Sequence, residues 1–259
     1  MARDVKPAGG PLRQALATPT GKRRYARRLF ARIADRYDLI TVLLSYGLDR
    51  RWKRRLIRLA SIEPGARLLD LATGTGDLAF LASRRSGMVV GLDVTVRMVQ
   101  IAASKPPPPG GWGGVRPCFV GGDMLALPFP DASFDVVTTG YGIRNVPDLG
   151  GALDEIARVL RPGGRFFSLD FDRPANAVVR AAYLGYLTIV GSALGLLLHR
   201  DPDTYRYIAE SVRGYPGSRV VVGMLRDRGF DAAGVLPVLG GLMAIHHAQK
   251  RAYTEERSS

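Results

Sequence analysis

From residue 66 onward, short apolar runs alternate with stretches in which apolar positions recur every three or four residues. That alternation predicts strands joined by helices, the signature of a doubly wound α/β sheet. Strands are predicted at 67–71, 88–93, 116–121, 134–139, 165–171, 229–236 and 241–247, and helices at 77–85, 95–104, 149–160 and 218–228. Pro162-Gly163-Gly164 reads as a turn that stops a helix and admits the next strand. The stretch 106–114 (PPPPGGWGG) carries no periodicity and reads as a surface loop.

Two segments depart from this pattern. Upstream, Tyr25, Leu29, Ile33 and Tyr37 stand four residues apart, with Arg24, Arg27, Arg28, Arg32 and Arg36 around them. This predicts a helix starting near Lys22, either a domain helix with a basic outer face or one that also rests on anionic lipid. Residues 1–21, with Pro7, Gly9, Gly10, Pro11 and Pro19, read as a flexible tail. Its Arg-rich, acid-poor start also has the character of a transit peptide, while no apolar core of a secretory signal follows. The second segment, 181–198, holds 18 residues without a charge. As a helix it would measure about 27 Å, the lower edge of a membrane span. Gly185, Gly191 and Gly195 weaken a span, which would also strand 229–247 across the membrane from the rest of the sheet. The expectation is an apolar helical insertion over 175–213, a buried helix pair or a lid over a greasy substrate. The domain plan is thus a tail (1–21), a basic helical extension (22–62), the α/β domain with its insertion (63–252) and a second tail (253–259).

Composition narrows the class. At 259 residues, with 46% hydrophobic and 23% charged residues, the chain is neither disordered nor a polytopic membrane protein. The single cysteine, Cys118, excludes an internal disulfide framework and a Cys-cluster zinc site, and no metal is expected. The net charge of +14 suggests an anionic partner until it is divided: residues 1–60 carry 16 basic and 4 acidic residues, and the remainder is nearly neutral. The asymmetry belongs to the N-terminal extension.

Candidate chemistry lies at the ends of the first three strands. Asp70-Leu-Ala-Thr-Gly74-Thr75-Gly76-Asp77 joins a strand to a helix, where small residues admit a ligand to the backbone and the helix offers free N–H groups. The glycine spacing lacks the third position of a pyrophosphate fingerprint, and no lysine is placed to cradle phosphates. Asp93, ending the second strand, is suited to a pair of ribose hydroxyls, and Asp123-Met124, after the third, to an adenine. A nucleoside site without phosphate chemistry suits S-adenosylmethionine (AdoMet). Asp70 and Asp77 also fit as helix-capping groups, and Asp93 as a turn residue.

On these residues the chain resembles the ubiquinone/menaquinone-biosynthesis C-methyltransferases, a class I AdoMet-dependent family. The resemblance runs over about 24–252. It rests on Arg36-Tyr37-Asp38, the Asp70–Asp77 loop, Ala126-Leu-Pro-Phe-Pro-Asp131, Gly140-Tyr-Gly-Ile-Arg-Asn-Val-Pro-Asp148, Arg158-Val-Leu-Arg-Pro-Gly-Gly164, Asp203-Thr-Tyr-Arg-Tyr-Ile-Ala-Glu-Ser-Val-Arg213 and Gly240-Gly-Leu-Met-Ala-Ile-His246. It implies a Rossmann-like, seven-stranded sheet with an antiparallel last strand, and methylation of a ring carbon on a prenylated quinol. Thr75, Asp93 and Asp123-Met124 match AdoMet-binding positions, and Gly140 falls where a small hydroxyl residue is common in the family. With Asp70, Gly74 and Gly76 these form the candidate cofactor set, and Tyr37, Arg144 and Asn145 the candidate substrate set.

A phenolic hydroxyl, with a pKa near 10, needs help to ionise before its ring carbon becomes a nucleophile. Arg144, Tyr141 and His246 are the candidate catalytic residues; His246 and His247 alternate across a strand, so only one can face the site. Arg144 and Asn145 also fit as a loop-fixing pair. Gly140-Tyr141-Gly142 and Leu169-Asp170-Phe171 lean towards a naphthoquinol or phytyl-quinol, of the demethylmenaquinol type, over a benzoquinol. A sterol-type or other small-molecule methyltransferase is the alternative. RNA methylation is the weaker rival, lacking both an Asn/Asp-Pro-Pro-aromatic motif after the fourth strand and a second cysteine. The expected partners are the quinol and an anionic membrane surface and not nucleic acid, with homo-oligomerisation left open; the expected location is cytoplasmic, peripheral to a membrane.

Overall fold

Leu68, Leu69 and Leu71 of β1 (Arg67–Leu71) are all fully buried, because layers of helices cover both faces of a central parallel strand. In the computed structural model, which describes residues 11–45, 47–107 and 113–252, seven strands form one sheet in the order β3-β2-β1-β4-β5-β7-β6. After β1 come β2 (Met88–Asp93), β3 (Cys118–Gly121), β4 (Phe134–Gly140), β5 (Leu160–Phe171), β6 (Phe230–Val238) and β7 (Met243–Lys250). The first five pair in parallel, and β7 runs antiparallel between β5 and β6. All seven predicted strands are present. The Arg161-Pro-Gly-Gly164 turn, however, lies inside β5: Leu160 still pairs with Phe134, the register then shifts, and pairing resumes at Arg165 and Val136. Gly163, at φ +74°, supplies the irregular backbone of that bulge. Most of the 106–114 loop and the 253–259 tail lie outside the described residues.

The N-terminus corrects an expectation. Residues 11–21 are not tail: α1 (Pro11–Leu16) packs on α2 (Pro19–Ile33), which Thr18 caps by accepting from the Gly21 N–H. Leu12 is buried with Leu29, Ile33, Tyr205 and Tyr207 in one apolar cluster, and Arg13 pairs with Glu210. Gly21 is required there, since a Cβ would collide with the carbonyl of Ala15. The chain continues through α3 (Tyr37–Leu44) and α4 (Asp49–Leu59), then α5 (Asp77–Ala82), α6 (Val96–Ser104) and α7 (Leu149–Val159) between the strands. The helical insertion is α8 (Ala177–His199) and α9 (Asp203–Arg213), with α10 (Ser218–Arg226) leading back into the sheet.

Glycine lets α8 and α9 close on one another: a Cβ on Gly191 would lie 2.8 Å from the Tyr205 carbonyl oxygen, and one on Gly195 would strike that of Asp201. The hairpin is therefore built as predicted, but only its inner side is buried. Val178, Ile189, Leu196 and Leu197 of α8 are exposed, together with Leu39, Val42 and Leu43 of α3. Among the described residues α8 is the helix long and apolar enough to cross a membrane. Its contacts with α9, and the return of the chain into β6 and β7 of the same sheet, fit a packed surface helix instead.

Candidate functional site: two chambers sharing a tyrosine wall

The strand order reverses between β1 and β4, and at such a switch point the loops leaving the strand ends part to form a crevice. Loops from β1, β2, β3 and β4 converge there on a chamber lined by Gly74, Asp93, Asp123, Met124 and Gly140. Gly74 (φ +55°) exposes bare backbone to it. At Gly142 a Cβ would run into Ala72, 2.8 Å away, and the Thr139 hydroxyl. Asp93 is buried and accepts from the Gly74 N–H (2.9 Å) and the Thr95 N–H (2.8 Å), one on each oxygen. Burial raises its pKa, and those backbone donors pull it back. Each oxygen keeps a lone pair for a further donor.

The other predicted cofactor residues divide into lining and support. Asp123 and Met124 line the chamber as expected; Leu125 N–H donates to Asp123 (3.0 Å), whose other oxygen pairs with Arg23 of α2. Asp70 stands behind the loop, fully enclosed, taking hydroxyl donors from Thr73 (2.6 Å) and Thr138 (2.8 Å). Burial lifts its pKa to about 6 against those bonds. Asp70 braces the loop, and with Thr75 it lines a small recess that shares Gly74, Gly140 and Tyr141 with the chamber. Thr75 is also buried and donates to Asp38, while Gly76 (φ +91°) is the N-cap of α5, with Phe80 and Phe119 where a side chain would go. Asp77 caps nothing: it pairs with Lys53 (2.8 Å).

A second chamber of about 290 Å³ lies under the α8–α9 hairpin. Its walls include Trp52, Phe171, Tyr183, Leu187, Tyr205 and Tyr207, and Arg144 is the one charged residue among its described lining. Tyr37, Phe30 and Tyr141 line both chambers. Tyr37 is held at a pKa of about 12 by burial. Tyr141 sits at φ +60°, a conformation a bulky residue adopts only where its surroundings impose it. Its N–H is fixed by the Leu169 carbonyl (2.7 Å), and its own carbonyl accepts from Arg144 (3.2 Å) and Asn145 (2.7 Å).

Arg144 is buried and paired with Asp170; burial opposes its charge, and Asp170 holds it protonated. Its Nε donates to Ser211 (3.3 Å) and its guanidinium lies 4.7 Å from the Phe171 ring centre. No described residue accepts from Nη2, which leaves its two N–H groups for a ligand in the apolar chamber. Asn145 fixes the loop, since its oxygen accepts from Tyr207 (3.1 Å) as its nitrogen donates to Tyr141, and it also lines the first chamber.

His246 does not belong to the site. Along β7 residues alternate in face: Met243 reaches the apolar chamber, and His247 shares its face while His246 takes the other. His246 is fully buried, with ring nitrogens near the backbone of Ser168 and Ser218 but without good hydrogen-bond geometry, and burial lowers its pKa to about 4. Sequence reading missed Arg23, Phe30, Tyr183, Tyr205 and Tyr207 as chamber residues, and also Asp49. The Tyr205-x-Tyr207 segment stood out as a motif; what it faced depended on how the hairpin folds back.

The ubiE/COQ5 methyltransferase family matches residues 19–250. The chain belongs to this family. A ubiquinone/menaquinone biosynthesis C-methyltransferase of Azotobacter vinelandii is 39% identical, over 88% of this chain and 91% of its own. One from Serratia proteamaculans is 40% identical, over 86% and 89%. Among solved structures, a SAM-dependent methyltransferase from Thermotoga maritima, a possible histamine N-methyltransferase, superposes with a TM-score of 0.60 over 86% of this chain and 99% of its own at 18% identity, a likeness of fold. The match confirms the seven-stranded methyltransferase fold and the family resemblance, and the protein is an AdoMet-dependent methyltransferase.

The first chamber fits that co-substrate in chemistry. Carboxylates at Asp93 and Asp123 accept from hydroxyl and amino groups, Met124 packs apolar surface, and bare backbone at Gly74 admits close approach. The free space is only about 100 Å³, below the ~300 Å³ of a typical small-ligand pocket. Arg23, Arg27 and Phe30 of α2 lie along it, with Arg23 bridged to Asp123.

Proposed function

We propose that the protein methylates a ring carbon of a prenylated quinol of the demethylmenaquinol type. The observation that carries this reading is the shared wall: Tyr37 and Tyr141 separate the AdoMet chamber from an aromatic, apolar chamber with one cation, Arg144. AdoMet bound in the first chamber supplies a methyl group already activated by its sulfonium. The remaining work is to orient the ring, exclude water and lower the cost of ionising its hydroxyl. The aromatic side chains present flat faces to the quinol, Arg144 offers its free Nη2 to the developing oxyanion, and the α8–α9 hairpin closes the chamber from solvent. Purified protein incubated anaerobically with AdoMet and a prenylated demethylmenaquinol should yield the C-methylated quinol by mass spectrometry. Absence of transfer to any prenylated naphthoquinol or benzoquinol would sink the reading.

A prenyl tail leaving that chamber meets apolar surface, because Tyr186 and Leu239 are at once exposed and part of its lining. With the exposed faces of α3 and α8, this supports a peripheral position on a membrane. The basic extension contributes less than its raw charge implies, since Arg23, Arg32 and Arg36 are engaged with Asp123, Asp201 and the Leu198 carbonyl. Arg24 and Arg28 are exposed and carry no partner among the described residues, and they remain for anionic lipid. Flotation with vesicles should therefore persist in neutral lipid and strengthen with anionic lipid. Recovery of the protein wholly in the soluble fraction with both kinds would overturn this placement.

A further inference from the structure

The reading above leaves the quinol's proton without a destination. Arg144 stays protonated and serves as a donor, not a base. The acids near the chambers are held by groups that do not line both: Asp170 accepts from Arg144 and from the Phe171 N–H, Asp93 from two backbone N–H groups, and Asp70 from two hydroxyls. No histidine is among the described residues that line either chamber.

One carboxylate is connected to the shared wall. Tyr141 Oη donates to Asp49 Oδ1 at 2.7 Å, while Lys53 Nζ lies 2.7 Å from Asp49 Oδ2 and 2.8 Å from Asp77 Oδ2. Asp49 and Lys53 are buried, whereas Asp77 is 38% exposed and stands 3.5 Å from Lys105. The two oxygens of Asp49 are thus divided, one for the tyrosine and one for the lysine. A buried ion pair is a weak device for stability, and here it sits behind a tyrosine held in the left-handed region at the junction of both chambers.

We propose that Asp49 is a positioning residue that acts through Tyr141, receiving the proton of the quinol hydroxyl by relay. The Tyr141 oxygen takes the hydroxyl proton as its own passes to Asp49 Oδ1, which leaves tyrosine and Asp49 neutral and the quinol as its anion. The freed electron pair, delocalised onto the ring carbon, forms the new carbon–carbon bond while the methyl–sulfur pair stays on sulfur. The displaced ring hydrogen then leaves to solvent as Asp49 returns its proton through Tyr141 to the oxygen, and each turnover releases one proton. Lys53 holds the other Asp49 oxygen at 2.7 Å throughout. The other charged or titratable groups around the pair are Asp77, Tyr37 and Arg144 with Asp170.

The proposal rests on the quinol reading, and its test separates the two. Wild type, Asp49→Asn, Tyr141→Phe and the double variant are assayed anaerobically with a short-chain demethylmenaquinol from pH 6.5 to 10, with AdoMet affinity by calorimetry and thermal midpoints alongside. Asp49→Asn preserves an acceptor for Tyr141 but cannot hold the proton. It should lower kcat about 100-fold near neutrality, with the deficit shrinking as the quinol ionises unaided towards pH 10, and with AdoMet affinity unchanged. Tyr141→Phe should give the same profile, and the double variant should be no worse than either single one. An Asp49→Asn enzyme with wild-type rates, or one impaired equally at every pH, overturns the relay. If that variant does not fold, the pH profile of Tyr141→Phe decides by the same criterion. Failure of the wild type to methylate any quinol overturns the quinol reading instead.

Discussion

The two chambers are built by different means. The cofactor chamber is made of strand ends and the loops that follow them: Asp93 and Gly140 close strands, Gly74 and Asp123 stand just beyond them, and backbone groups fix the two carboxylates. The substrate chamber is made of side chains drawn from α2, α3, α4, α8, α9, the loop after β4, the end of β5 and the loop before β7, far apart in sequence. One depends on local backbone geometry that survives many side-chain changes, and the other on long-range packing. Mutations should therefore separate them.

The largest effect should come at the seam. Arg144→Met leaves Asp170 as an unpaired buried carboxylate, and urea unfolding should show a loss of about 3–5 kcal/mol. A loss below about 1 kcal/mol would mean that the pair is not the seam's anchor. Next comes His246, on the sheet side away from both chambers. Its folded pKa of about 4 lies below the ordinary 6.5, so its contribution is intact above pH 6.5 and fades as pH falls towards 4. The total is about 3 kcal/mol by linkage. His246→Gln should flatten that acid slope and leave the pH dependence of kcat alone. A changed kcat profile would return the histidine to the chemistry.

Asp93→Ala should weaken AdoMet binding about 10- to 150-fold, the value of one to two charge-assisted hydrogen bonds, with quinol KM little changed. Calorimetry giving the wild-type constant would remove Asp93 from the cofactor site. On the other side, Ile189→Asp on the exposed face of α8 should raise KM for a long-tailed quinol in vesicles several-fold, one apolar side chain's share of burial, and spare a tail-less analogue. Equal KM shifts for both would disprove a role in tail or membrane contact. The smallest effect is expected at Arg23→Ala. Its half-exposed pair with Asp123 is worth at most about 1 kcal/mol, so AdoMet affinity should rise no more than about fivefold. A fall would show that Arg23 itself holds the co-substrate.

The same division explains what could be read in advance. Asp93 and Asp123 were legible because an acid that ends a strand pattern, or directly follows one, implies its own position at the sheet's carboxyl edge. For Asp70, strand periodicity does not show that Thr73 and Thr138 each donate to one of its oxygens and fix it behind the loop. His246 was misassigned because a motif marks a residue and not the face it takes; Met243 in the apolar chamber fixes that face. Residues 11–21 looked like tail because Leu12 and Leu16 are too few to mark a helix, and they become ordered only against α2 and α9.

The basic N-terminus shows the same limit. Its charge was visible at once, but the pairing of Arg23 and Arg32 with acids more than 90 residues away was not. Sequence alone determined the strand order's raw material, the cofactor loops and the family, because each follows from patterns within about twenty residues. Tertiary structure alone decided the substrate chamber, the faces of His246 and α8, and the Tyr141–Asp49–Lys53 chain. Those depend on which distant side chains meet, and burial and pairing have no signature along the chain until it folds.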